Sequence, residues 1–192
     1  REFVEDIGSE AERLNRMTAK LLSLTRVDIQ EPPESELIRI FPTINRVVRM
    51  LRPVAERSSV EILAELEQDS TVLITEDDLY QIVFNLIENG IKYNRTNGSV
   101  TVRVDRTEDF ARLTVADTGV GIPEDALDHI FERFYRVDKA RSRQTGGSGL
   151  GLAIVRAIVQ RNRGDIQVES TPGSGTVFTV TFPIFDMEVD ET

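Results

Sequence analysis

Asn85, Asn89 and Lys92 stand at i, i+4 and i+7 of the run from Leu79 to Tyr93. At ~100° per residue they fall within about 60° of one another around a helix, while Leu79, Val83, Leu86 and Ile87 form a separate apolar face. This spacing predicts a polar stripe pointing away from the core. Two asparagine amides one turn apart can offer carbonyl oxygens to a hard cation such as Mg²⁺, and Lys92, a turn further on, can meet phosphate oxygens. That donor set would serve a metal–triphosphate, although a solvent-facing amphipathic surface has the same pattern. Asn is a poor helix former, so two in mid-helix cost stability without a packing gain.

Two glycine-rich turns point the same way. Asp117-Thr118-Gly119-Val120-Gly121 follows one apolar stretch, and Gly146-Gly147-Ser148-Gly149-Leu150-Gly151-Leu152 runs straight into the apolar Ala153-Ile154-Val155. Glycine lacks Cβ, so main-chain N–H groups can approach a polyphosphate closely, and a following helix adds its positive N-terminal end. Either turn taken singly is also what an ordinary tight turn looks like. A basic cluster, Arg133, Arg136, Lys139, Arg141 and Arg143, lies between them and could meet an anionic ligand or simply be a solvated loop.

The elements that must position these groups are legible from periodicity. Residues 1 to 27 read as one helix, with Val4, Ile7, Ala11, Leu14, Met17, Leu21 and Leu24 on a bundle or coiled-coil stripe. Asp28 to Pro33 is a helix stop and linker, which divides the chain into 1–30 and 31–192. Beyond it the pattern predicts a strand at Leu37 to Ile40, a helix from Pro42 to Arg57, and strands at Val60 to Leu66 and Thr71 to Ile74. A helix from Asp77 to Tyr93 follows, then strands at Ser99 to Arg106 and Ala111 to Asp117. An irregular stretch leads to a helix at Leu150 to Arg161 and a hairpin of Asp165 to Ser170 and Gly175 to Phe182. This is an α+β two-layer sandwich, a mixed sheet with helices on one face, preceded by one long bundle helix.

Composition bounds the function. The 192 residues are 40% hydrophobic and 29% charged, an ordinary globular balance, and no apolar run approaches the ~20 residues of a membrane-spanning helix. The absence of cysteine excludes disulfides, cysteine nucleophiles and thiolate metal sites. A formal net charge of −10 argues against nucleic acid as a partner, since binding to its backbone is driven by clustered Lys and Arg.

Four segments carry a resemblance to a known family. Residues 85–93 (Asn-Leu-Ile-Glu-Asn-Gly-Ile-Lys-Tyr), 117–123 (Asp-Thr-Gly-Val-Gly-Ile-Pro), 131–136 (Phe-Glu-Arg-Phe-Tyr-Arg) and 147–152 (Gly-Ser-Gly-Leu-Gly-Leu) resemble, in order and spacing, the N, G1, F and G2 boxes of sensor histidine kinases. The resemblance implies the Bergerat ATP-binding fold of the catalytic domain, with residues 1–30 as the end of the dimerisation and histidine-phosphotransfer helices. It implies Asn89 as principal Mg²⁺ ligand with Asn85 in support, Lys92 and Tyr93 as phosphate and nucleotide contacts, and Asp117 as acceptor from the adenine amino group. Gly119, Gly121 and Ile122 would then line the base, Arg136 would reach the γ-phosphate, and residues 137–146 would form the ATP lid. Gly147, Ser148, Gly149, Leu150 and Gly151 would cradle the phosphates, with Ser148 in place of the more frequent threonine.

The expected activity is transfer of the γ-phosphoryl of Mg²⁺-ATP to a histidine upstream of Arg1, for relay to a response-regulator receiver domain. The resemblance further implies a homodimer through the N-terminal helix, and the cytoplasmic portion of a membrane-anchored receptor. The single histidine, His129, precedes the F box, outside any His-Glu/Asp acceptor motif, and reads as a structural residue at the lid base. Departures from the family pattern are Gly90 for alanine, and Asn162-Arg163-Gly164 for His-Gly-Gly. Alternatives are a hydrolysing ATPase of the same fold, a serine kinase of the anti-sigma type, and a nucleotide-binding module without catalysis. The first would need a glutamate base where this chain has Asn85, and an amide cannot take a proton from water.

Overall fold

The computed structural model describes residues 35–137 and 148–185. The helix expected over 1–27, the linker and the 30/31 boundary lie outside the described residues, as do Lys139, Arg141, Arg143, Gly146 and Gly147. The chain builds β1 (Glu36–Arg39), α1 (Ile40–Arg57), β2 (Val60–Leu66), β3 (Thr71–Ile74) and α2 (Glu76–Lys92). It continues through β4 (Gly98–Arg106), β5 (Phe110–Asp117), the short α3 (Glu124–Leu127), α4 (Gly151–Arg161), β6 (Asp165–Thr171) and β7 (Gly175–Pro183). β1 and β3 form an antiparallel pair of their own, and the main sheet has the order β2-β4-β5-β7-β6. Only β2–β4 is parallel, which requires a crossover, and β3 with α2 supplies it.

Alternation along the strands decides where the helices sit. Val100, Val102 and Val104 of β4, Ala111, Leu113 and Val115 of β5, and Phe178, Val180 and Phe182 of β7 are all buried. Register places Val102 opposite Val115, and Val115 opposite Phe178, so these residues share one face. The other face carries charge, with Arg103 paired to Glu65 and Arg112 to Asp105 at 3.1 Å. Helices therefore cover one side, and Leu79, Ile82, Val83, Leu86 and Ile87 of α2 fill the layer between. This is the mixed-sheet α+β sandwich that the pattern predicts.

Several element ends shift by a residue or two from expectation, and one such shift and one added element have a plain physical reason. α1 begins at Ile40, two residues before Pro42, because a first-turn proline gives up only an N–H that would lack an intrahelical partner anyway. The helix α3 falls inside the stretch read as irregular, and its four residues are too few to show a period.

One buried cluster fixes how α2 and α4 meet. Arg161 Nη2, at the end of α4, donates to both oxygens of Asp78 (2.6 and 2.7 Å) in the first turn of α2. Asn162 Nδ2 adds a bond of 2.9 Å to Asp78 Oδ2 and another of 2.9 Å to the Ile158 carbonyl. Asn162 thus keeps a donor role at the turn where the family pattern has histidine. Arg163, standing where that pattern has glycine, takes φ +60°. Left-handed backbone costs a non-glycine residue ~1–2 kcal/mol, part of which glycine returns through its freer unfolded chain. Arg163→Gly is expected to stabilise the protein by about 0.5 kcal/mol, read from the midpoint of urea unfolding.

Candidate functional site

The two helices that face the site end differently. At the start of α2, Thr75 Oγ1 accepts from the Asp78 N–H at 3.1 Å, and Glu76, Asp77 and Asp78 occupy the first turn. At the start of α4 no side chain among the described residues caps the first turn, and no acidic residue stands in it. Its leading N–H groups, with the positive end of the helix dipole, are therefore available to an anion. Leu150 is fully buried and anchors this turn from below, while Ser148 and Gly149 are half-buried above it.

Gly151 sits directly over Asn85. A Cβ at Gly151 would lie 2.9 Å from Asn85 Oδ1, so glycine is what lets α4 start this close to α2. Asn85 is 4% exposed and its Nδ2 donates to the Gln81 carbonyl at 2.7 Å, which leaves Oδ1 as the oxygen toward the α4 turn. The expected outward stripe is corrected here. Asn85 is covered by α4 rather than by water, and Asn89 and Lys92 are half-buried. The pattern gave the angle of the stripe around α2, and nothing in it told which neighbour would roof it. Lys92 Nζ lies 5.3 Å from the centre of the Tyr93 ring.

The loop after β5 is held against the end of α2. Asp117 Oδ1 accepts from the Gly119 N–H at 2.8 Å, and the Val120 N–H donates to the Tyr93 carbonyl at 3.1 Å. Burial pushes the Asp117 carboxyl above the usual range for aspartate, and the N–H groups of Gly119 and Thr176 pull it partly back. Gly121 has φ +71°, and a Cβ there would stand 2.2 Å from the Thr171 carbonyl oxygen. The Ile122 N–H donates to Ser170 Oγ at 2.8 Å, and Ser170 in turn donates to the Gly175 carbonyl at 2.9 Å. Gly121→Ala is expected to cost about 3 kcal/mol from steric overlap and backbone strain together, measured by chemical denaturation.

Ser170 and Thr176 are site residues that the sequence reading did not single out. Thr176 is buried and its N–H serves Asp117. The Pro172-Gly173-Ser174 turn beside it was legible, but only as the bend of a hairpin.

The residues before the basic stretch complete the site. The Phe134 N–H donates to the Gly149 carbonyl at 2.8 Å, which ties the 131–136 segment to the glycine turn. Arg136 Nε and Nη2 are buried and have no hydrogen-bond partner among the described residues. Two buried donors in that condition suit an anion, since leaving such donors unpaired costs ~1–3 kcal/mol. His129 Nδ1 lies 2.7 Å from Glu132 Oε1, and this pairing pushes the imidazole pKa up. Among the described residues no group of three or more His, Cys, Asp or Glu could hold a metal ion. A cation here would rely on amide oxygens and on the oxygens of its own ligand. No helix among the described residues is long and apolar enough to cross a membrane.

Comparison with known proteins gives this geometry its family. The sensor histidine kinase RppB of Synechocystis sp. is 36% identical over 189 residues, covering 97% of this chain and 42% of that protein. The mycobacterial sensor histidine kinase MprB superposes with a TM-score of 0.69 at 28% identity, covering 80% of this chain and 99% of that one. Full-length ShkA, solved with AMPPNP, superposes with a TM-score of 0.82 at 27% identity over 97% of this chain and 39% of that one. The chain spans less than half the length of the curated relatives it first matches. Residues 74–185, which hold α2, the Asp117 loop, the Arg136 segment and the α4 turn, match the family model as one unit. With that match, the chain belongs to the family of histidine kinase-, DNA gyrase B- and HSP90-like ATPases, and holds its ATP-binding domain.

Proposed function

We propose that this chain is the catalytic part of a sensor histidine kinase that binds Mg²⁺-ATP and passes the γ-phosphoryl to a histidine on the dimerisation helices. The observation that carries this reading is a pair of anion-seeking features, the start of α4 over Asn85, which no described side chain caps, and the two buried guanidinium nitrogens of Arg136 that have no hydrogen-bond partner among the described residues. In the transfer the bond from Pγ to its bridging oxygen breaks, a P–N bond forms to the acceptor imidazole, and ADP leaves. Protein catalysis of such a step is mostly positioning and charge stabilisation. The α4 turn, with Ser148, Gly149 and Gly151, would hold the phosphates, Lys92 would neutralise them, and Arg136 would meet charge developing on the γ-phosphoryl. The amide oxygen of Asn89, supported by that of Asn85, fits a hard cation, and Mg²⁺ bound there would neutralise phosphate charge.

Asp117 would accept from the adenine amino group, with Tyr93, Gly119, Gly121 and Ile122 around the base. A carboxylate there repels the carbonyl of guanine. Asp117→Asn is expected to weaken ATP binding about thirtyfold, the equivalent of about 2 kcal/mol for a charge-assisted hydrogen bond. Because burial raises the Asp117 pKa, adenine affinity should fall with decreasing pH earlier than an ordinary carboxylate would dictate, and Asp117→Asn should remove that dependence. The sign for folding is opposite. A raised native pKa means that the folded protein holds the proton more tightly, so this group stabilises the ligand-free fold as pH falls through the same window.

The chain would act in a homodimer through its N-terminal helix, with a response-regulator receiver domain as the next acceptor, as the cytoplasmic portion of a membrane-anchored receptor. The hydrolytic reading is disfavoured by Asn85, whose amide cannot activate water. Calorimetric titration with a non-hydrolysable ATP analogue tests the site. Binding should require Mg²⁺ and weaken about tenfold in Asn89→Ala, and a dimerisation domain supplied in trans should then become phosphorylated. Failure of the folded parent to bind would overturn the reading.

A further inference from the structure

Asn94, just past α2, is the most heavily bonded side chain at the site, and none of the four boxes includes it. Its Nδ2 donates to the Gly90 carbonyl and to the Ser99 carbonyl, each at 2.9 Å. Its Oδ1 accepts from the Arg95 N–H at 3.0 Å and from the Thr118 hydroxyl at 3.3 Å. The amide orientation is forced, since a flipped group would aim its oxygen at two carbonyls and its NH₂ at a backbone N–H. Thr118 answers from the other side. Its Oγ1 accepts from the Ser99 N–H at 2.9 Å, and its own N–H donates to the Ser99 carbonyl at 3.1 Å.

These bonds join three elements. The Gly90 carbonyl is one of the last carbonyls of α2, which have no partner further along the helix. Ser99 opens β4, and Thr118 follows the buried Asp117. The approach is close enough that a Cβ on Gly98 would fall 2.0 Å from Asn94 Oδ1. The neighbouring Tyr93 carbonyl is already spent on the Val120 N–H. The end of the helix that carries Asn85, Asn89 and Lys92 is thereby clasped to the loop that carries Asp117.

We propose that Asn94, acting through Thr118, is a positioning residue that registers the base-recognising loop against the phosphate-binding helix, and so sets selectivity for adenine. This rests on the nucleotide-binding reading above. Its signature is a split, because the clasp sets where Asp117 stands without touching the α4 turn or Arg136. Loosening it should weaken recognition of the base and spare that of the phosphates.

The test uses the whole 192-residue chain and calorimetry with a non-hydrolysable ATP analogue, the matching GTP analogue and inorganic tripolyphosphate, each with Mg²⁺. Asn94→Ala is expected to weaken the ATP analogue about tenfold and to shrink the preference for adenine over guanine by a similar factor, with tripolyphosphate binding unchanged. Thr118→Val should reproduce this and keeps the test open if Asn94→Ala does not fold. The double variant should be no worse than the poorer single one, because both break one clasp, and Thr118→Ser should restore wild-type selectivity. Equal losses for all three ligands, or an unchanged ATP to GTP ratio, would overturn the proposal and leave Asn94 a structural cap. Asp117→Asn serves as the control. If that variant still prefers adenine, the nucleotide reading itself fails, whatever Asn94 does.

Discussion

Arg136→Ala is expected to slow phosphoryl transfer about a thousandfold while changing ATP affinity only a few-fold, and to make the ligand-free protein more stable. The first part follows from where a cation is useful. Charge spreads over the γ-phosphoryl oxygens as the bond breaks, and a fixed guanidinium meeting it is worth ~10³ or more in rate, about 4 kcal/mol. The second part follows from the state of the group without ligand. Two of its nitrogens are buried with no hydrogen-bond partner among the described residues, so the half-buried side chain carries unsatisfied donors that truncation would remove. Loss of rate with a gain in melting temperature distinguishes a group held ready for an anion from one that braces the fold. Arg136→Lys should fall between, because an ammonium keeps the charge and loses the fork. Single-turnover phosphorylation of a dimerisation domain in trans, beside thermal unfolding of each variant, measures both. A variant that lost stability and rate together would place Arg136 in the scaffold.

The elements that carry the candidate residues were legible because they have helical and strand periods. The helix that became α2 and the strands that became β4, β5 and β7 carried over into the fold with ends shifted by at most a single residue. What the sequence withheld depends on contacts between distant segments. The burial of Asn85 depends on where α4 lands, some 65 residues later, and nothing within α2 reports it. Asn94 was invisible for a related reason. Gly90 lies one helical turn back, but Thr118 joins Asn94 and Ser99 only when β4 and β5 pair, and a lone Asn after a helix signals no more than a cap or a turn. Arg161 was readable as the basic end of α4 and Asp78 as the acidic start of α2, but their meeting required the crossing of those helices.

That pair sets the second large effect. Asp78→Ala is expected to destabilise the protein by about 4 kcal/mol, because the Arg161 side chain, 14% exposed, would be left with its charge buried and its bidentate partner gone. Its Nε already lacks a hydrogen-bond partner among the described residues, so truncating Asp78 would add to donors left unpaired there. Removing both charges is a different experiment. Two buried ions give up hydration that their mutual attraction barely returns, so Asp78→Leu with Arg161→Met should recover most of the stability lost in Asp78→Ala. Urea unfolding of Asp78→Leu, Arg161→Met and the double variant yields the coupling energy. If the ion pair supplied only stability, the recovered double variant would bind and transfer as the parent does. The pair also fixes the angle at which α4 starts over Asn85, since one end of α4 is held at Asp78 while the other presents Gly151 to the site. A double variant with parental stability and weakened Mg²⁺-dependent nucleotide binding is therefore the expected result, because apolar side chains can fill the same volume without specifying one orientation.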